Sequence, residues 1–533
     1  MALVGGVNAA WAEAGDKTTI PASENAAVTL DLSTATITHV AAGSSAKVTN
    51  SLFDSFKNSD YATFNLTNST AQRYVLSFVA HSDHDKEANR VDASQPSVVT
   101  ITVDLLDAAN GDATVVSRTF NITSNGSWNS GGLTYSVNLP VLSTRDYKLK
   151  MTFNSSNNKY NYTANVGNIT FTPLTSTVDV AAVGTTLSFV ASDITKASGK
   201  TNANVAGDGH LDYFYTNDYV TKPLNLPSDG SYFVSFNYGT TNSNVVLKFT
   251  WINDNTGEEK EVDSEALSGS NWTYTTSSSF VGMTNLTSGY WTLKITFVGA
   301  SGSTTVNVGN ITIGPAATVA MNESTDYSPV AQFADVVLTR SITGGNWSTI
   351  CLPFAMTAEQ ITATFGEGTV VSELTESDSE SLTFATRTAM EANKPYLIKT
   401  TANVSGEKTI SGVTIVSGTP SYSVSDEKAT FTGVYTNGNV PSGSYVLTNN
   451  TLYKLTDNKA TIKPFRAYFT VPGAAGARLG VKFDEEETTA LLPVGMNEFV
   501  EAAHGSVYTL QGVRVSQPRR GLYVVNGKKV VIR

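Results

Sequence analysis

The sequence contains two copies of one pattern, and this duplication is the feature that most limits how the chain can fold. Residues 58–80 read NSDYATFNLTNSTAQRYVLSFVA, and residues 216–239 read TNDYVTKPLNLPSDGSYFVSFNYG. Tyr74 of the first block corresponds to Tyr232 of the second, at an offset of 158 positions (232 − 74). The first 315 residues are therefore expected to contain two related domains rather than one large one.

Three later blocks repeat in the same order at an offset that falls to 144 (272 − 128) and is slightly smaller at the last block. The pairs are residues 126–128 with 270–272, residues 147–153 with 291–297, and residues 165–171 with 307–313. The fall of 14 positions (158 − 144) means that the first copy carries extra residues, which the alignment places around residues 81–90, HSDHDKEANR. This segment is predicted to be an inserted loop.

The repeated blocks have the alternation of half-buried β-strands. In residues 147–153 the apolar Tyr, Leu, Met and Phe alternate with Lys, Lys and Thr, and residues 99–105 alternate in the same way. Turn signals such as Asn110-Gly111 and residues 253–257, NDNTG, separate the extended runs. Short strands with such turns, and no sustained helical period, predict an all-β chain that begins with two tandem antiparallel β-sandwich (jelly-roll) domains.

A chain of 533 residues is too long for one core and suggests three or four folded domains. The second half reads as a further β-rich domain that follows a linker-like stretch, residues 316–329, and contains a short helix over 357–365. Cys351, the only cysteine, lies in an apolar run and is expected to be a buried structural thiol. The predicted segments are 1–12 (signal-peptide remnant), 13–174 and 175–315 (β-sandwich modules), 316–485 (β-rich domain) and 486–533 (short C-terminal β domain).

The two ends of the chain suggest export. Residues 1–12, MALVGGVNAAWA, resemble the end of a signal peptide with cleavage before Glu13, although the basic n-region of a signal peptide is missing. The alternative is a disordered leader that has no targeting function. No segment approaches the apolar length of a membrane helix. Near the C-terminus, residues 507–515 and 521–533 flank a polar connector and contain the hairpin signal Asn526-Gly527.

Two resemblances follow from these residues. The runs around Tyr74, Trp128, Tyr147 and Asn165, with their counterparts in the second copy, resemble the β-jelly-roll carbohydrate-binding modules of families 6 and 35, over about residues 28–172 and 177–314. The tail resembles the C-terminal sorting domains of Bacteroidetes-type secreted proteins, and residues 316–485 look like a domain common in such proteins. The resemblance implies a secreted or cell-surface protein, with cell-surface or secretion machinery as a partner.

Sugar recognition requires an exposed aromatic platform with fixed polar partners, usually on loops. The resemblance implies such sites at Trp128 with Asn165 and at Trp272 with Asn307, and Tyr61 and Tyr219 are further candidates. The alternative for both tryptophans is core packing, which Trp291, Tyr74 and Tyr232 are expected to show. The asparagines also suit turns.

Two clusters of possible metal ligands stand out, residues 81–85 and residues 208–212, and neither has a recognised ligand spacing. The resemblance allows a structural calcium ion, with no ligands assigned. No motif of a hydrolase, phosphate loop or C-x-x-C site occurs, so we expect no enzyme; a glycosidase carboxylate pair would meet only in the folded chain.

Composition bears on the ligand. Only 15% of residues are charged, against about 25% in ordinary proteins, and the net charge is −11, which argues against nucleic acid. A polar, weakly charged surface suits a neutral partner such as a polysaccharide or other glycan. The sequence thus favours a non-catalytic, secreted glycan-binding protein. The alternative is a structural or adhesive surface protein whose sandwiches act as spacers or contact other proteins.

Overall fold

The computed structural model is an almost entirely β protein, which confirms the predicted fold class. The structure describes residues 17–21, 26–269, 271–275, 278–299, 302–378, 381–424, 429–472 and 479–483, and the strand backbone of 507–508, 514–515, 521–525 and 528–532. The signal-peptide prediction (1–12), Ser270 and the Asn526-Gly527 turn lie outside the described residues. The chain divides into two compact units, Met1–Ala317 and Thr318–Arg533.

The first module of unit 1 is a sandwich of two sheets. One sheet has the strand order β1-β6-β11-β8-β9, with β3 also beside β6, and the other has the order β10-β7-β12-β5-β4, with β2 also beside β12. The strands are β1 (Thr18–Ile20), β2 (Val28–Thr29), β3 (Thr36–Thr38), β4 (Lys47–Thr49), β5 (Leu52–Asp54), β6 (Tyr61–Asn68), β7 (Tyr74–His81), β8 (Val98–Asp107), β9 (Ala113–Ile122), β10 (Leu133–Asn138), β11 (Asp146–Ser156) and β12 (Asn165–Pro173).

The second module repeats this arrangement strand for strand. Its sheets have the orders β13-β18-β23-β20-β21, with β15 beside β18, and β16-β17-β24-β19-β22, with β14 beside β24. The strands are β13 (Val178–Asp179), β14 (Thr185–Thr186), β15 (Ile194–Thr195), β16 (Asn204–Val205), β17 (Leu211–Asp212), β18 (Tyr219–Leu226), β19 (Gly230–Gly239), β20 (Val246–Asn253), β21 (Glu259–Asp263), β22 (Ser279–Leu286), β23 (Gly289–Val298) and β24 (Asn307–Pro315).

The correspondence extends to backbone details that the sequence alignment does not show. Ser55 and Tyr213, which occupy equivalent positions, share a left-handed backbone with φ near 60°. In both modules the first strand pairs in parallel with its neighbour, β1 with β6 and β13 with β18. The predicted antiparallel pairing therefore does not hold for these two pairs of strands. Short 3-10 turns occur at Leu32–Thr34, Glu87–Asn89, Ala108–Asn110 and Ala191–Asp193.

Each sandwich is filled by the alternating apolar residues that the sequence identified. Tyr147, Leu149, Met151 and Phe153 on β11 are all buried in the first core. The predicted core aromatics Tyr74, Tyr232 and Trp291 are each 0% exposed. Burying one face of each sheet removes large aromatic side chains from water, and this is the main favourable term in the stability of the modules.

The predicted insertion lies mainly in one connection. Residues 82–97 join β7 to β8 in module 1, whereas residues 240–245 alone join the equivalent β19 and β20 in module 2. His81, which the alignment placed in the insertion, is instead the last residue of β7. Hydrogen bonds within the loop hold it together: Asp85 accepts from the backbone N–H of Ser97 at 2.9 Å and from Arg90 Nε at 3.0 Å.

Each module has two ends, which we name by the connections that they carry. The loop pole of module 1 carries residues 55–60, 82–97, 123–132 and 157–164, and that of module 2 carries residues 213–218, 240–245, 264–269, 271–275, 278, 299 and 302–306. The opposite end, the junction pole, carries the connections β6–β7, β8–β9 and β10–β11 and their equivalents β18–β19, β20–β21 and β22–β23. Because strands alternate in direction, all residues at one pole lie at one edge of the sandwich.

The described residues of unit 2 form small sheets and one helix. Its sheets have the orders β25-β26-β31, β27-β30-β28-β29-β39, β32-β33-β38-β35-β36 and β34-β37. The strands are β25 (Ala317–Asn322), β26 (Gln332–Thr339), β27 (Trp347–Cys351), β28 (Val370–Ser377), β29 (Ser381–Arg387), β30 (Pro395–Lys399), β31 (Glu407–Ile415), β32 (Ser421–Ser423), β33 (Thr430–Val434), β34 (Gly438–Asn439), β35 (Tyr445–Thr448), β36 (Thr451–Lys454), β37 (Thr461–Ile462), β38 (Arg466–Thr470) and β39 (Gly480–Phe483).

The predicted helix is present as α1 (Ala358–Phe365), with Thr357 and Gln360 forming a reciprocal capping box. The linker-like stretch 316–329 instead contributes strand β25, which pairs with β26. Cys351 is buried in the core of this unit, as predicted, and burial raises the pKa of its thiol to about 12. Tyr396 is buried, whereas Trp347 is half-buried and stacks on Phe483 at a centroid distance of 4.6 Å.

The C-terminal residues form a four-stranded sheet in the order β41-β40-β42-β43. Its strands are β40 (Val507–Tyr508), β41 (Arg514–Val515), β42 (Gly521–Val525) and β43 (Lys528–Ile532). The antiparallel pairing of β42 with β43 flanks the Asn526-Gly527 position. In the described residues, no helix has the length and apolar character needed to cross a membrane.

Candidate functional site

Exposed aromatic side chains in the described part of the chain are few and concentrated in one kind of place. They are Tyr160 (56% exposed), Tyr162 (36%), Tyr213 (54%) and Trp272 (36%). The first two lie at the loop pole of module 1 and the last two at the loop pole of module 2. Because exposing a large aromatic ring to water is unfavourable, this clustering marks the two loop poles as the surfaces to consider for binding.

The loop pole of module 1 contains a cleft of about 350 Å³. Its lining combines four aromatic rings with amides and hydroxyls, and Asp54 is the charged residue among them. The lining residues are Thr49, Asn50, Asp54, Ser55, Phe56, Asn89, Trp128, Asn129, Tyr160, Tyr162, Thr163, Ala164 and Asn165. The volume is that of a small-ligand site, and the chemistry suits a neutral polar molecule with apolar faces.

Two predicted site residues, Trp128 and Asn165, come together in this cleft. Asn165 is the first residue of β12, and its side-chain Nδ2 donates to the backbone oxygen of Trp128 at 3.0 Å. Asn165 is 5% exposed, so its amide serves mainly to hold the Trp128 loop against the sandwich. Trp128 is half-buried, so its exposure is intermediate between that of a core residue and that of a fully exposed platform for a sugar.

The rest of the platform comes from the connection between β11 and β12. Asn158 Oδ1 accepts from the backbone N–H of Tyr160 at 2.9 Å, and Tyr162 forms an isolated bridge with Lys57. The Tyr160 and Tyr162 ring centroids are 6.4 Å apart, with planes inclined at 34°. The Lys57 ammonium lies 5.4 Å from the Tyr162 ring centre, a cation–π contact that helps to position this ring.

Sequence reasoning missed Tyr160 and Tyr162. In module 2, the bridge equivalent to Lys57–Tyr162 joins Tyr215 and Thr304, so the second copy has no aromatic at the Tyr162 position. The signal was present as two tyrosines in a polar connector, NNKYNY at residues 157–162, that the other copy lacks. A search for residues that match between the two copies does not find these tyrosines, because they occur in the first copy and have no counterpart in the second.

Module 2 builds its loop pole from different residues. Trp272 has a left-handed backbone with φ 60°, and its carbonyl group lies against Gly239, leaving no space there for a Cβ atom. Asn307 Oδ1 accepts a hydrogen bond from the backbone N–H of Tyr213 at 3.4 Å. Tyr213 occupies the position of Ser55 in module 1. The predicted pair Trp272 and Asn307 thus lies at one pole, together with a tyrosine that was not predicted.

Tyr61 and Tyr219, the other two candidates, lie elsewhere. They begin β6 and β18 on one sheet of each sandwich, and neither lines the module 1 cleft. The Lys150 ammonium lies 4.6 Å from the Tyr61 ring centre, and the Lys294 ammonium lies 4.2 Å from that of Tyr219. The pair is therefore a shared cation–π contact of the two copies, on a strand face rather than in the loops.

One buried carboxylate in each module shapes the loop pole. Asp60 is fully buried and accepts hydrogen bonds from the backbone N–H groups of Val40, Ala41 and Lys57 and from Ser44 Oγ, at 2.5–3.0 Å. Burial alone would raise the pKa of Asp60, but these hydrogen bonds outweigh it and lower the pKa. The residue fixes the turn that carries Ser55 and Phe56 into the cleft, and Asp218 is fully buried at the same position of module 2.

The two predicted clusters of possible metal ligands do not gather their side chains around one ion. No group of three or more His, Cys, Asp or Glu side chains in this part of the chain is placed to hold an ion. In the 81–85 cluster, His84 is buried against Ser82 Oγ at 2.7 Å, and burial lowers its pKa. In the 208–212 cluster, His210 pairs with Asp208 at 3.0 Å while Asp212 accepts from the Tyr274 hydroxyl at 3.2 Å.

Comparison with known proteins gives matches among solved structures alone. No protein-family model matches the chain. No curated protein matches it either. Similar structures include a carbohydrate-binding module of Cellvibrio mixtus lichenase 5A in complex with cellotriose (19% identity, 25% of this chain, 98% of that chain, TM-score 0.19). A family 35 carbohydrate-binding module from Clostridium thermocellum is also similar (21% identity, 24% of this chain, 98% of that chain, TM-score 0.18).

A third similar structure is the N-terminal tandem CBM22 domain of Paenibacillus barcinonensis Xyn10C (10% identity, 49% of this chain, 84% of that chain, TM-score 0.20). The two-sheet architecture of each module is established by the strand pairing of this chain itself.

Proposed function

We propose that this is a non-catalytic, secreted or cell-surface glycan-binding protein, with its principal site in the loop-pole cleft of module 1. The observation that carries the proposal is the placement of Trp128, Tyr160 and Tyr162 around a cleft whose other lining residues mostly carry amides and hydroxyls. The C–H faces of a sugar ring pack on aromatic rings, while its hydroxyls exchange hydrogen bonds with amide side chains. The lining is uncharged apart from the carboxylate of Asp54, and this favours an uncharged sugar.

The lining also bears on catalysis. Glycoside hydrolysis requires a pair of carboxyl groups about 5–10 Å apart across the scissile bond. Asp54 is the carboxylate that lines the cleft, so the residues around it supply one such group and not a pair. This supports a binding role for the cleft. Export is part of the proposal and rests on residues 1–12 and on the resemblance of the C-terminal tail.

The test is a pull-down of the full chain with microcrystalline cellulose, insoluble xylan, β-1,3-glucan, chitin and starch. Wild type is compared with a Tyr160→Ala/Tyr162→Ala variant and with Tyr61→Ala as a matched control, since Tyr61 lies outside the cleft. We expect wild type and Tyr61→Ala to sediment with at least one polysaccharide and the double variant to sediment markedly less. Equal sedimentation of all three proteins would show that the cleft is not the site.

Failure of wild type to bind any of the five would favour the alternative function, a structural or adhesive surface protein. In that case the same exposed aromatics would contact another protein. A folding control by circular dichroism is needed for the double variant, because Tyr162 also packs near Lys57.

A further inference from the structure

The two modules are joined through a buried ion pair. The guanidinium group of Arg73 in module 1 forms an ion pair with the carboxylate of Asp254 in module 2, and these side chains are 5% and 2% exposed. Arg73 also donates from Nε to the backbone oxygen of Leu139 at 3.0 Å and from Nη1 to Thr177 Oγ1 at 2.9 Å. Its guanidinium carbon lies 4.2 Å from the ring centre of Tyr290 in module 2.

Further hydrogen bonds surround this pair. Thr292 Oγ1 donates to the second carboxylate oxygen of Asp254 at 2.7 Å, and Asn138 Nδ2 of module 1 donates to Thr292 Oγ1 at 2.8 Å. Arg118 Nη2 of module 1 donates to the backbone oxygens of Asn253 and Asp254, both at 2.8 Å. A buried charge needs its partners in place, so a network of this kind favours one relative orientation of the modules over others.

The junction lies away from both loop poles. Asp254 and Tyr290 are at the junction pole of module 2, and Arg73 and Asn138 are at the junction pole of module 1. Arg118 lies midway along edge strand β9, so the end of module 2 also rests against the side of module 1. Strands β7 and β20 each have eight residues, so each loop pole lies about 25 Å from the junction.

We propose that the two modules form a rigid, double-ended binder whose loop poles are held apart and face different directions, so that one molecule bridges two separate glycan chains. The bridging rests on the proposed function; the rigid geometry does not. The loop poles are about 35 Å apart if the modules meet at a right angle and about 50 Å apart if they lie in line. A single stiff polymer segment then does not fill both poles, and the two modules give little avidity on one short glycan.

The geometry is tested without any glycan. Ala93 and Ser243 are exposed loop-pole residues, one in each module, and each is changed to Cys and spin-labelled, since the natural Cys351 is buried. Double electron–electron resonance spectroscopy should give one narrow distribution of distances between the two spin labels, centred at about 35 Å or longer. Asp254→Asn should broaden it, whereas Asp146→Asn, which removes the exposed pair with Lys17, should not. A broad wild-type distribution, or one centred well below 30 Å, would overturn the proposal.

Bridging is tested with the full chain and two batches of beads that carry different dyes. In each trial both batches are coated with the same polysaccharide, and the trial is repeated for each of the five polysaccharides. Wild type should aggregate the two batches together, and Tyr160→Ala/Tyr162→Ala should coat the beads less and fail to join them. Strong coating by wild type without mixed aggregates would refute bridging while leaving glycan binding intact. Absence of coating would instead refute the proposed function, with the resonance distances still reporting the geometry.

Discussion

The side-chain amide of Asn165 donates to the backbone oxygen of Trp128, and this contact ties the last strand of module 1 to the loop that carries its central aromatic residue. The equivalent residue of module 2, Asn307, instead accepts a hydrogen bond from the backbone of Tyr213. One repeated asparagine therefore anchors a different aromatic loop in each copy. This explains how two modules with the same strand order present different surfaces at their loop poles.

Asn165→Asp should loosen the Trp128 loop, because the substitution removes the donor and places an acceptor against a carbonyl oxygen. We expect a loss of about 1–3 kcal/mol in local stability, the cost of an unsatisfied buried group. Hydrogen exchange of residues 123–132 measures it, with the exposed Asn121→Asp as control. Unchanged protection of this loop would contradict the anchoring role.

Tyr160 is expected to bind by stacking rather than through its hydroxyl. Tyr160→Phe should therefore bind a retained polysaccharide within about threefold of wild type, whereas Tyr160→Ala should weaken binding by about tenfold or more, the loss of one to two kcal/mol. Affinity electrophoresis in gels that contain the polysaccharide compares the three proteins. If Phe and Ala weaken binding equally, the hydroxyl group carries the interaction and the platform model is wrong.

The Arg73–Asp254 pair should be costly to break and inexpensive to replace. Asp254→Leu leaves a buried guanidinium without its carboxylate and should destabilise unit 1 by about 3–5 kcal/mol in denaturant unfolding. Adding Arg73→Met to the same protein should recover most of that loss, since apolar side chains then fill the junction. A single substitution that costs less than about 1 kcal/mol would show that the pair is solvated.

Unit 2 should lose stability in acid through Glu323. Burial alone would raise the pKa of Glu323, but the Arg466 and Arg340 guanidinium groups, at 2.7 and 3.0 Å, outweigh it and lower the pKa. A lowered folded-state pKa gives a stabilisation that is complete above the unfolded value, about 4.5, and is lost as pH falls through the folded value. Urea unfolding of wild type between pH 3 and 7 should show this fall, and Glu323→Gln should be less stable at pH 7 with a flatter dependence. Parallel pH profiles for the two proteins would exclude Glu323 as the cause.

Cys351 should be unreactive in the native protein. Its thiol is buried and its pKa is raised to about 12, so little thiolate is present at pH 8 and reagents have no access. Ellman's reagent should release less than about a tenth of an equivalent of chromophore from the folded chain and one equivalent in guanidinium chloride. Rapid reaction of the native protein would show that the core around Cys351 opens readily.

The sequence predicted the fold better than the site, for physical reasons. Period-two alternation and the duplicated blocks are local signals, and they placed Tyr74, Tyr232 and Trp291 correctly in the cores. The parallel pairing of β1 with β6 and of β13 with β18 was missed because two- and three-residue strands leave no periodic pattern.

The site depends on contacts between distant positions. The resemblance to a known family suggested Asn165 and Trp128 together, and the two residues are in contact, while their role in binding stays a prediction. Tyr160 and Tyr162 have no counterpart in the second copy. The junction was invisible for a different reason: Arg73 and Asp254 are 181 positions apart, and each resembles an ordinary surface charge in its own segment.

The most direct test of the central claim is a glycan array probed with wild type and with a Trp128→Ala/Trp272→Ala double variant shown by circular dichroism to be folded. The account predicts that wild type binds a set of related neutral glycans and that the double variant loses this binding at both loop poles. Undiminished binding by the folded double variant would contradict the account, because it would place the glycan away from the loop poles.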